Sequence, residues 1–141
     1  MSQTQKTLFE NEIQCLIAKA EQARQNAYAP YSGFRVGAAL CTSEGRIYTG
    51  VNVENASYPV GICAERTAFA AAVASGERHF DAIAIVGGKD GESADFCYPC
   101  GMCRQFMAEL CGEDFLVIAA GAEGSYRIFQ LSELLPSGFI L

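Results

Sequence analysis

The sequence is poor in positive charge. Ten lysines and arginines stand against sixteen aspartates and glutamates, a net charge of −6 over 141 residues, with a pI near 4.7. Such a balance opposes general attraction to nucleic-acid phosphates or to an anionic membrane surface, so neither is expected as a partner. Long apolar runs are also missing. The longest, such as AFAAAVA, fall far short of the ~20 residues that a membrane-spanning helix needs. The opening stretch MSQTQKTLFENEIQ carries no apolar signal core, and the expectation is a cytoplasmic protein. No repeat, low-complexity tract or linker breaks the chain, so a single domain over 1–141 is expected. Histidine is almost absent. His79, the only one, lies in SGERHF after a helical segment and reads as a surface residue rather than a metal ligand.

What the chain does have is apolar bulk and sulfur. Half of the residues are hydrophobic by a broad count and 18% are charged, enough for a core without staples. Seven cysteines without a secretory signal point to reduced thiols used for metal binding or catalysis rather than to disulfides.

Apolar positions Leu8, Phe9, Ile13, Leu16, Ile17 and Ala20 recur at steps of three and four, predicting an amphipathic helix from about Lys6 to Asn26. Pro30 and Gly33 break it. FRVGAALCT and RIYTGVNVE, joined at SEG, predict a hairpin. CAERTAFAAAVASG predicts a helix stopped by Gly76, DAIAIVGG a buried strand ended by its glycines, and CGMCRQFMAELCG a further helix. DFLVIAAG and SYRIFQL supply two more strands, and SELLPSGF a last helical turn. Helices between successive strands favour a partly parallel sheet covered on both faces, a three-layer α/β/α sandwich of the α/β class.

Three cysteines crowd into ADFCYPCGMCRQF. Cys63 and Cys100 each stand where a loop becomes a helix, and the N–H groups and dipole of that end favour a thiolate. Cys103 lies one turn beyond Cys100 on nearly the same face. If the two helix starts face each other, Cys63, Cys100 and Cys103 surround one ion, and three thiolates suit tetrahedral zinc with a fourth position left for water. Glu65, on the first turn after Cys63, is placed for general acid–base work at that water. Cys97 extends the motif to C-x-x-C-x-x-C and suggests an iron–sulfur run. However, no fourth ligand falls at the required spacing and the proline precedes a cysteine, so Cys97 is read as structural. Cys15, Cys41 and Cys111 read as core thiols on apolar faces.

Cys63-Ala64-Glu65 followed by Pro99-Cys100-Gly101-Met102-Cys103 fills, in order, the zinc deaminase signature in its cysteine-for-histidine form. YAPYSGFRVGAAL, NVENASYP, CAERTA, PCGMCRQ and the LLPSGF tail all resemble blocks of the small, homotetrameric cytidine deaminases, in that family's order. The resemblance implies a mixed five-stranded sheet, one zinc per subunit, a nucleoside substrate and active sites completed at subunit interfaces. Carried over by position, it implies that Phe34 packs beside the pyrimidine and that Asn52 and Glu54 hold ribose hydroxyls. Ala64 would offer its N–H to the base, and Phe139 would close over the base in a neighbouring subunit. Arg66 and Arg104 would donate to the cysteine sulfurs and withdraw charge from a net-negative metal complex. The implied reaction is hydrolysis of cytidine and 2′-deoxycytidine to uridine and 2′-deoxyuridine with release of ammonia, in pyrimidine salvage. Two rivals stand beside it: a deaminase for another substrate, such as an antibiotic of the blasticidin type or a polynucleotide cytidine, and a structural zinc or redox protein without hydrolytic activity.

Overall fold

The computed structural model describes residues 8–90 and 95–141. Helix α1 (Glu10–Arg24) is followed by strands β1 (Phe34–Thr42) and β2 (Ile47–Val51), helix α2 (Ala64–Ala74), strand β3 (Phe80–Lys89), helix α3 (Gly101–Leu110), strands β4 (Leu116–Ala120) and β5 (Tyr126–Gln130), and the short α4 (Leu131–Leu134). The predicted order of elements is the observed one. The first residues of the predicted opening helix, Lys6 and Thr7, lie outside the described residues, and Phe9 is the residue that caps α1.

The five strands form one mixed sheet in the order β2-β1-β3-β4-β5. β1 pairs antiparallel with both β2 and β3, so β2 and β3 run the same way, and β4 lies parallel to β3. The chain therefore makes two successive crossovers, β2-α2-β3 and β3-α3-β4, both advancing in the same direction across the sheet. Crossovers of one hand that advance together put their helices on one face and start both helices at the same end of the sheet. This topology brings Cys63 and Cys100 together.

Period-two alternation sorts the core into two layers. Leu40, Ile83, Ile85 and Val117 face α2, α3 and α4, where Phe69, Met107 and Phe115 fill the space. Ala39, Ala82, Ala84 and Ile118 face α1, where Ile13, Leu16, Ile17 and Ala20 are buried. The helices come close. A Cβ on Gly37 would stand 2.0 Å from the Ala20 carbonyl of α1, and one on Gly50 would stand 2.3 Å from the Ala68 nitrogen of α2. Only glycine at these two positions lets each helix lie against the sheet.

Two expectations are corrected. β3 does not end at its glycines: Gly87 and Gly88 pair with Val36 and Arg35 of β1, and the strand runs on to Lys89. Cys15 is exposed rather than in the core, because the buried stripe of α1 runs through Ile13, Leu16, Ile17 and Ala20 instead.

Beyond the end of α2, Glu77 ties the helix to the β1–β2 hairpin. Its carboxylate accepts from Arg46 Nε at 2.5 Å, Arg46 Nη2 at 2.9 Å and the Tyr48 hydroxyl at 2.9 Å. The Arg46 hydrogen bonds hold the Glu77 carboxyl down at about 2, below the ~4.3 of a free glutamate. A carboxyl depressed in the folded state stabilises it above its unfolded pKa and loses that effect as pH falls through the folded one. Glu77→Gln should therefore melt below the parent at pH 7. The gap should close between about pH 5 and pH 2, checked by thermal melts of both proteins stripped of metal.

Candidate active site and metal centre

Gly50 admits α2 onto β2, and Thr67 fastens it there: its hydroxyl accepts from the Val51 N–H at 2.9 Å and lies 2.8 Å from the Val51 carbonyl. That anchorage fixes the first turn of α2. Cys63 is the N-cap of α2 and Cys100 the N-cap of α3, both with extended backbone, as the helix-start reading predicts. Their sulfurs lie 3.8 Å apart, and Cys103 Sγ lies 3.6 Å from Cys100 Sγ. Among the described residues these three form the one cluster of candidate metal ligands, with all sulfurs within 4.8 Å of one another.

That spacing tests the metal. Sulfurs ~2.3 Å from a zinc ion at tetrahedral angles stand ~3.8 Å apart, close to the 3.8 Å and 3.6 Å that separate Cys100 from its two neighbours. Cys103 is fully buried behind the site, while Cys63 and Cys100 line the cleft. The donor set fits zinc, and Cys63, Cys100 and Cys103 are the residues that would hold it. The hydrogen bond from Cys103, aided by Arg66, holds the Cys63 thiol down at about 5. The same contact, with burial, pushes Cys103 upward.

Glu65 is one of two buried polar side chains in the described core, 4% exposed. Burial pushes its carboxyl up, and the charge on Cys63 adds to this. A carboxyl raised in this way, beside the thiol trio, has the protonation bias of a group that exchanges protons with a bound reactant.

The trio opens into a cleft of about 730 Å³, within the ~300–1,000 Å³ usual for small-molecule sites. Phe34, Asn52, Glu54, Ala64, Glu65 and Arg66 all line it. Each has further duties. Asn52 extends the ladder beside β1, its Oδ1 accepting from the Val36 N–H at 2.8 Å and its Nδ2 donating to the Phe34 carbonyl at 2.9 Å. Glu54 pins the preceding loop, accepting from the N–H groups of Tyr31 at 2.9 Å and Ser32 at 3.1 Å and from the Ser32 hydroxyl. The Ser32 hydroxyl, foremost among these donors, lowers the Glu54 carboxyl. Phe34, at the start of β1, rests against Gly87, where a Cβ would come within 2.9 Å of its ring.

Of the two arginines expected at the sulfurs, one is there. Arg66 does reach a sulfur, with Nη2 3.7 Å from Cys63 Sγ. Arg104 does not: its Nε donates to the Pro99 carbonyl and its Nη1 to the Leu134 carbonyl, both at 2.8 Å. Its guanidinium braces the turn before Cys100 against the end of α4 instead of drawing charge from the thiols. Phe139 stands outside the cleft of its own chain, 66% exposed, its carbonyl accepting from Gln105. Residues that the motif reading passed over include Thr67, Tyr98 and Gly87. Tyr98 adjoins Pro99-Cys100 and was open to notice; Gly87 and Thr67 act through contacts distant in sequence and gave no local signal.

An α/β/α sandwich whose two parallel crossovers deliver an open-sided trio of thiols and a buried carboxyl defines a metal-dependent hydrolase. The family model for the cytidine and deoxycytidylate deaminase zinc-binding region matches residues 10–119. A cytidine deaminase of Halalkalibacterium halodurans is 47% identical over 126 residues, 89% of this chain and 92% of its own. One from Sporosarcina psychrophila is 43% identical over 128 residues, 91% of each chain. The crystal structure of cytidine deaminase from Burkholderia pseudomallei superposes with a TM-score of 0.82 at 46% identity, covering 89% of this chain and 97% of that one. The chain belongs to the cytidine and deoxycytidylate deaminase family and is a zinc-dependent deaminase.

Proposed function

We propose that this chain removes the amino group from the base of free cytidine and 2′-deoxycytidine, yielding uridine and 2′-deoxyuridine with ammonia, in cytoplasmic pyrimidine salvage. The observation that carries the reading is the buried Glu65 beside an open-sided thiol trio at the floor of a nucleoside-sized cleft. One zinc per chain, when bound, supplies Lewis acidity and makes water a nucleophile at neutral pH. Glu65 takes a proton from the attacking water and passes it to N3 of the base as the water oxygen bonds to C4. The remaining hydrogen of that water follows the same route to the exocyclic amine, the C4–N bond breaks, and ammonia leaves.

Asn52 and Glu54 hold the ribose hydroxyls. An amide has two N–H donors and two acceptor sites, and a carboxylate about four acceptor sites, so the loop contacts described above leave each with capacity to spare. Phe34 packs beside the pyrimidine, and Ala64, first residue of α2, offers an N–H that helical bonding leaves unused. Arg66 draws charge from Cys63. We also read the active form as a homotetramer, with Phe139 reaching a neighbouring cleft. Supporting this, Tyr58, Val60, Met102, Phe139 and Ile140 are all more than half exposed, an apolar surface of the kind that marks subunit contact.

Turnover of cytidine, 2′-deoxycytidine, CMP and single-stranded RNA, followed by loss of ultraviolet absorbance with and without a chelator, tests the proposal. Both free nucleosides should be the best substrates and the chelator should abolish turnover. Cytidine ranking last would overturn the substrate assignment.

A further inference from the structure

The segment leading into the second thiol motif runs alongside the end of β4, its Cys97 N–H donating to the Ala120 carbonyl at 3.3 Å. Its side chains find seats at two glycines. The Phe96 ring lies on Gly121, where a Cβ would stand 3.1 Å from it, and the Arg127 guanidinium carbon of β5 sits 4.1 Å from the ring centroid. Tyr98, two residues on, receives a hydrogen bond from Arg127 Nη1 at 2.5 Å and meets the Phe129 ring edge-on at 6.0 Å. Cys97, between them, places its sulfur beside Gly87, where a Cβ would come within 2.8 Å, next to Phe34. One arginine thus grips the residues on both sides of Cys97, while Cys97 and Tyr98 form part of the cleft wall.

We propose that Arg127 is a positioning residue for this cleft: held on Phe96 and Tyr98, it fixes Cys97 and Tyr98 as the wall facing Phe34, without reaching the thiol trio itself. The ligand turn has its own brace in the Arg104 bonds to Pro99 and Leu134, so loosening the Arg127 grip acts on the wall rather than on the ion. A planar fork stacks on one ring and bonds the other hydroxyl at once, which the point charge of a lysine cannot reproduce.

The test has two arms, run on zinc-loaded protein with Arg127→Ala, Arg127→Lys and Tyr98→Phe. Kinetically, Arg127→Ala should raise KM for cytidine about threefold to tenfold with a smaller change in kcat and unchanged zinc content, Arg127→Lys falling between it and the parent. This arm rests on the nucleoside reading above. The second arm does not: labelling with a small thiol reagent, mapped by mass spectrometry, should proceed faster at Cys97 in Arg127→Ala, while the half-buried Cys41 and Cys111 keep their parental rates. If cytidine proves not to be turned over, the substrate reading falls and selective labelling of Cys97 still upholds the grip. Unchanged labelling at Cys97, or equal acceleration at all three thiols, overturns it. Should Arg127→Ala fail to fold, the other two variants decide by the same labelling comparison.

Discussion

Glu65→Gln should keep its zinc and lose its turnover. Glutamine preserves the shape of the side chain and carries no charge to bury, so a residue 4% exposed, whose carboxyl burial already disfavours as an anion, tolerates the change without unfolding. What goes is the ability to accept and return a proton. General acid–base catalysis is worth typically ~10²–10⁴-fold, and Glu65 serves both proton transfers, so kcat should fall by at least about 10²-fold. Zinc measured by metal analysis should match the parent, because the sulfurs hold the ion and the carboxyl does not. A variant within tenfold of the parent would move the proton chemistry elsewhere. Loss of zinc would make Glu65 a ligand and reopen the structural-zinc alternative.

Cys103→Ala should strip the site. Cys103 is fully buried in the same core cluster as Ala64, Ala68 and Met107, where alanine leaves a small gap. Two sulfurs remain, one of them exposed. Losing a direct donor should weaken zinc binding by more than the ~10–100-fold typical of an outer partner, with activity lost in proportion to the metal. Cys97→Ala is the control. Its thiol, pushed up to about 12 chiefly by burial, sits against Gly87 and lies outside the ligand cluster, so that variant should retain zinc. Competition with a chromogenic chelator separates the two. Equal zinc retention in both variants would remove Cys103 from the coordination sphere.

The thiol trio was legible because each of its two halves is local. An N-cap cysteine with a carboxyl two residues on, and a second N-cap cysteine one turn before a third, are short-range patterns that sequence displays directly. The buried strands in DAIAIVGG and DFLVIAAG were legible as short apolar runs, and the inner face of α1 as its apolar stripe. What sequence concealed depends on distance. Arg104 adjoins Cys103, yet its guanidinium bonds the Leu134 carbonyl, thirty residues on, a partner that nothing in the local sequence announces. Gly87 looked like a strand terminator, since nothing local reveals that Phe34 and Cys97 need its missing side chain. Cys15 fits an apolar helical stripe on paper, but a stripe about 100° wide leaves its edge residues in water.

The pairing of two parallel crossovers sets a schedule for metal loading. Cys63 belongs to the first and Cys103 to the second, so no fragment released before Cys103 contains the complete donor set. A growing chain can shape its amino-terminal hairpin and α2 early, yet tight capture of the ion must wait for α3.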